Sequence, residues 1–95
     1  MENIAIETQN LELIKGEFSV LEAKELLFNL INQKINFHNL RDWSSQERYG
    51  MPDENSVQRI QQLKQSKESL QELVQIARKE GLSFKIDAKI SIELV

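Results

Sequence analysis

One pair of residues in this chain has both the types and the spacing for acid–base or metal chemistry. His38 is the single histidine and Asp42 follows four positions later, a spacing that makes the two side chains neighbours on one helix face. Such a pair could relay a proton or supply half of a metal site. The structural interpretation, a histidine at a helix seam held by a carboxylate, is favoured because paired groups often serve only structure. We expect no metal and no cofactor, since no cysteine and no suitably spaced carboxylate would complete a site.

Aromatic and arginine side chains follow directly and make the second candidate. Arginine and the large aromatic residues are over-represented at binding hot spots and can stack on nucleic-acid bases. The alternative is that the tryptophan and tyrosine plug the end of the fold with buried area, with the arginines as solvated or cation–π partners. Together with His38 and Asp42, the residues of this candidate binding site are Arg41, Trp43, Arg48 and Tyr49.

Composition narrows the classes of function. The 95 residues predict one domain, 1–95, with no room for a second core. A formal net charge of −3 disfavours nucleic acid and anionic membranes as partners. No apolar run predicts a membrane span or a secretory signal, and the lack of cysteine fits a cytoplasmic protein. The glycines form no phosphate-binding loop and no serine has a catalytic spacing, so we expect neither an enzyme nor a small-molecule substrate.

Two helices are predicted to position the candidate residues. Ser19 and Glu22 form a capping box that starts the first helix, which we expect to end near Arg41 and to be followed by a separate turn over 44–50. The second helix is predicted from Glu54 to Glu80, with Asp53 as N-cap and Gly81 just past its end. Its apolar seam is expected to contain Val57, Ile60, Leu63, Leu70, Val74 and Ala77, with lysines filling the gap between Leu63 and Leu70.

Strands are predicted at both ends of the chain. From Phe84 to Leu94, apolar and polar residues alternate without a break, as in a strand with one dry face. Segment 4–15 also alternates, but its two halves differ in parity, which requires an irregularity. We expect a β-bulge at 8–10 and leave a tight hairpin there as the alternative.

These elements predict an α+β fold of order β-α-α-β. A long antiparallel helical hairpin should cover a small antiparallel sheet of the N- and C-terminal strands, because a two-stranded ribbon is marginal alone. Its open edges suggest pairing with a second copy. We therefore expect a small accessory or regulatory protein that binds a protein partner and forms a homodimer. The alternatives are an acidic inhibitor or immunity-type protein that blocks a basic site, and a nucleic-acid binder that uses the hairpin tip.

Overall fold

The computed structural model describes residues 8–95 and confirms the order strand, helix, helix, strand. The four elements are β1 (Gln9–Phe18), α1 (Val20–Tyr49), α2 (Glu54–Glu80) and β2 (Phe84–Ile92). The helices form an antiparallel pair, and the two strands form an antiparallel sheet that packs against it. The predicted strand residues before residue 8 lie outside the described range.

Helix α1 begins as predicted and ends later than predicted. The Ser19 Oγ accepts from the Glu22 amide at 3.2 Å, and the Glu22 carboxylate accepts from the Ser19 amide at 3.1 Å, which completes the capping box. The expected end near Arg41 and the separate turn at 44–50 are both wrong, because α1 continues unbroken to Tyr49. Gly50 ends it in the left-handed conformation, with φ of 66°.

Helix α2 has the predicted bounds and a regular seam. Its most buried positions recur at alternating spacings of four and three residues, the repeat of a coiled-coil seam: Ser56, Ile60, Leu63, Lys67, Leu70, Val74 and Ala77. Assigning Val57 to the seam was wrong, since Ser56 holds that place and Val57 is 40% exposed. Asp53 occupies the N-cap position, but its side chain makes no capping hydrogen bond. Gly81 follows the helix with a φ of 67°.

The strands pair from Gln9 opposite Ile92 to Phe18 opposite Phe84. One face of the sheet is apolar, and on it Leu11 pairs with Ile90 and Ile14 with Ala88. The register shifts between Glu12 and Ile14, so the extra residue is Leu13. The bulge expected at 8–10 is therefore misplaced. Strand β1 also continues through the segment that we expected to leave the sheet, 15–17.

Burial decreases along the sheet with distance from the helices. Ile14 is 7% exposed and Ala23, in the first turn of α1, is fully buried. Toward the other end of β2, Ile90 and Ile92 are 38% and 44% exposed. The hairpin therefore covers only the half of the apolar face that adjoins the start of α1.

Candidate functional site

All six candidate residues lie on the last three turns of α1, because that helix continues to Tyr49. They do not form one cluster. His38 and Asp42 are half-buried and face α2, where they join residues of the corner and of its first turn. The other four are exposed: Arg41, Trp43, Arg48 and Tyr49.

A chain of hydrogen bonds joins the two helices at the corner. The Ser56 hydroxyl donates to the Asp53 carboxylate at 2.6 Å and lies 3.1 Å from His38 Nδ1. Asp42 accepts from the Asp53 backbone amide at 2.9 Å through one oxygen, and from Gln46 Nε2 at 3.0 Å through the other. We call these five residues the corner network. It explains why α1 does not end at Asp42, since the side chain bonds across the corner instead of capping the helix.

His38 is a neutral hydrogen-bond donor in this network at neutral pH. Partial desolvation lowers the pKa of the imidazole first, and the nearby charges of Lys34, Arg41 and Arg59 lower it further, whereas Asp53 raises it. Because Ser56 gives its proton to Asp53, its free lone pair points to an Nδ1–H of His38. The edge of the Phe37 ring meets the imidazole, with centroids 5.2 Å apart and planes at 79°.

The order of groups in the network does not activate a nucleophile. A catalytic serine gives its proton to an imidazole that a carboxylate orients. Here the hydroxyl stands between the carboxylate and the imidazole, and Ser56 is only 1% exposed. The expected partner of His38 was Asp42, but the structure gives it Ser56. This geometry can hold two helices in register at their corner.

The exposed candidate residues divide over two surfaces. Arg41, Arg48 and Tyr49 line a shallow depression of about 270 Å³ beside Asp53, whose carboxylate lies 3.9 Å from Arg41 Nε. Trp43 does not line it. Trp43 and Tyr49 are 62% and 73% exposed, so they do not plug the hairpin tip.

Two residues escaped the sequence reasoning. Ser56 would have been found from the four–three repeat of α2, had the repeat been extended one step toward the N-terminus. Phe37 lies between two cations, with Lys34 Nζ at 4.9 Å and Arg41 Cζ at 5.6 Å from the ring centroid. The spacing of one turn on either side of Phe37 was the available signal.

The outer edge of β2 is a second candidate site. Within residues 8–95 the sheet holds only β1 and β2, so each strand has one edge without a partner strand. Strand β2 is regular over its nine residues, whereas β1 contains the bulge at Leu13. Unpaired backbone groups along a regular edge form a template for another strand.

Comparison with family models, curated proteins and solved structures finds no match to this chain. Neither α1 nor α2 is apolar enough over sufficient length to cross a lipid bilayer. Among residues 8–95, acidic side chains and His38 form no group of three that could hold a metal ion.

Proposed function

We propose that this chain is a non-enzymatic protein-interaction protein that forms a homodimer through a sheet edge and acts as an accessory or regulatory protein. The observation that carries the proposal is its exposed surface. The accessible area is 8028 Å², whereas a compact monomer of this mass exposes about 5,700 Å².

The difference is larger than a dimer interface needs. An unfolded chain exposes about 1.45 Å² per dalton, so residues 1–7 account for at most about 1,200 Å² of it. About 1,100 Å² remains, against about 800 Å² per partner in an interface of standard size. The radius of gyration, 17.7 Å, also exceeds the value of about 12 Å for a compact domain of this length.

The exposed surface includes many large apolar side chains. Among the described residues, sixteen of them are at least 38% exposed, and surfaces of this kind mark interaction sites. Several lie on or beside the sheet, including Leu11, Leu13, Ile90 and Ile92. A second copy paired at the sheet edge would cover part of this surface and would satisfy the unpaired backbone groups.

The hairpin tip stays free in such a dimer, because it lies at the opposite end of the helices from the sheet. Trp43 and Tyr49 expose aromatic surface there, and Arg48 adds a donor fork. We assign this surface to a second protein partner in the cytoplasm, a compartment that suits a chain without cysteine. Asp42 and Asp53 are engaged in the corner network, which leaves them unsuited to block a basic site as an acidic inhibitor would.

The experiment is the absolute mass in solution, measured by light scattering on a sizing column over a concentration series that reaches tens of micromolar. The expected result is twice the chain mass of 11.1 kDa, decreasing toward one chain on dilution. A mass of one chain at every concentration would overturn the proposal.

A further inference from the structure

The two strand edges differ in their capacity to pair with a second copy. In β1 the extra residue, Leu13, interrupts the ladder near the middle of the strand, and bulges of this kind protect natural edges. Strand β2 pairs without a break over Phe84–Ile92. The outer edge of β2 is therefore the edge open to a new strand.

A closed dimer restricts how two β2 strands can meet. Identical strands that pair about a twofold axis run antiparallel, and every residue then meets its counterpart across one central residue. The apolar faces of both strands stay on one side only if paired residues have the same parity. A central Asp87 or Lys89 would place like charges opposite each other, so the centre must be apolar: Ile86, Ala88 or Ile90.

We propose, resting on the homodimer proposed above, that the two chains join through antiparallel β2 strands centred on Ala88. This register uses all nine residues of β2, from Phe84 opposite the partner's Ile92 onward. Centring on Ile86 or Ile90 pairs only five strand residues. The product is a four-stranded sheet of order β1-β2-β2-β1, whose outermost edges carry the protective bulge.

Charges on the polar face match across this register. Within one chain, Lys15 lies opposite Asp87 and Glu12 lies opposite Lys89. The Ala88 centre places Asp87 opposite the partner's Lys89, and the twofold axis repeats the pair. Each row across the four strands then alternates in sign: Lys15, Asp87, the partner's Lys89 and the partner's Glu12. Opposite-charge pairs across strands are stabilising and like charges are destabilising.

The apolar face also gains from the same register. Ile90 and Ile92, which the hairpin leaves 38% and 44% exposed, meet the partner's Ile86 and Phe84. Both of those residues are half-buried in their own chain, at the end of the sheet that the helices cover. Each chain thus brings its covered end to the uncovered end of the other.

The test uses charge reversals at the two central polar positions. Asp87→Lys places a new lysine opposite the partner's Lys89, and Lys89→Asp places two aspartates opposite each other. Each variant should raise the dimer dissociation constant about 10- to 30-fold, because two attractive pairs become repulsive. An equimolar mixture of the two variants should recover a heterodimer, since every central pair is again of opposite sign.

Lys85→Glu is the matched control. Like the other two variants it loses a charge pair within its own sheet, the pair with Glu17, but across the Ala88 register it meets the partner's Ser91. It should dimerise almost as the wild type does. Circular dichroism of each variant checks that the helices are intact, and native mass spectrometry distinguishes the heterodimer by mass.

The outcomes separate this proposal from the homodimer itself. A monomeric wild type would overturn both. A dimeric wild type with unchanged affinity in Asp87→Lys and Lys89→Asp would overturn the register alone. Weakening by Lys85→Glu but not by Lys89→Asp would place the centre at Ile86. Restoration of dimers only in the mixture supports the Ala88 centre.

Discussion

Replacing Ser56 by alanine should destabilise the corner between the helices. The hydroxyl is almost fully buried and bonds to both Asp53 and His38. Each bond contributes about 1 kcal/mol net, and the better helix propensity of alanine returns about 0.5 kcal/mol. The expected loss in free energy of unfolding is therefore about 1.5 kcal/mol, or about 6–12 °C in melting temperature for a domain of this size.

Ser69→Ala is the matched control, because Ser69 lies on the exposed side of the same helix. It gains the same helix propensity without losing an internal hydrogen bond, so its stability should rise by about 0.5 kcal/mol or less. Urea denaturation followed by helical circular dichroism measures both variants. Protein concentration must be held constant, since dimer formation would make the stability depend on it.

The result that refutes this reasoning is a Ser56→Ala variant as stable as Ser69→Ala. The corner network would then contribute nothing to the fold, and the interpretation of His38 as a structural donor would fail with it. A variant that loses stability without a change in the denaturant slope would show that the native and denatured states keep their compactness.

Three further predictions concern other parts of the helices. Because the folded state lowers the pKa of His38 below the ordinary 6.5, stability should be full above about pH 6.5 and should decrease as the pH falls toward the folded pKa; a His38→Gln variant followed by urea denaturation should lose that component. Lys67→Leu should add about 1 kcal/mol, because it fills the seam between two leucines and frees only the exposed Asn32, whereas Lys64→Leu on the exposed side should add nothing in the same denaturation assay. Iodide should quench Trp43 fluorescence nearly as well as that of free tryptophan, and a Trp43→Ala/Arg48→Ala double variant should keep its helicity while losing the partner that the hairpin tip binds.

The element types and most boundaries follow from local chemistry. The Ser19 capping box and the glycines at the helix ends act within one turn of the chain, so the sequence alone reveals them. The end of α1 could not be found in that way. Residues 42–47 resemble a helix end followed by a new start, but Asp42 bonds to the amide of Asp53, eleven residues away, and tertiary contacts of this kind override local signals.

The bulge shows a similar limit. Parity requires one irregular residue in the first strand, but it does not say where that residue lies. The structure places Leu11 and Ile14 on the same face as the apolar side of β2 and makes Leu13 the extra residue, so the pairing with β2 decides its position. The exposure of Trp43 and Tyr49 was not predictable either, because size and apolarity favour burial in any sequence-based argument.

Different chemistry holds the two ends of the hairpin together, and this makes the proposals independent of each other. The corner end depends on hydrogen bonds through Ser56, whereas the sheet end depends on apolar residues such as Val74 and Ala77. At about 1.5 Å per residue, the thirty residues of α1 separate these ends by about 45 Å, far beyond the screening length of about 8 Å at physiological salt. Charge reversal at Asp87 should therefore leave the His38 titration unchanged, and Ser56→Ala should leave the dimer dissociation constant unchanged as long as the helices stay folded. Coupling between the two measurements would mean that the helical pair transmits strain along its length, and the corner would then regulate self-association instead of only closing the hairpin.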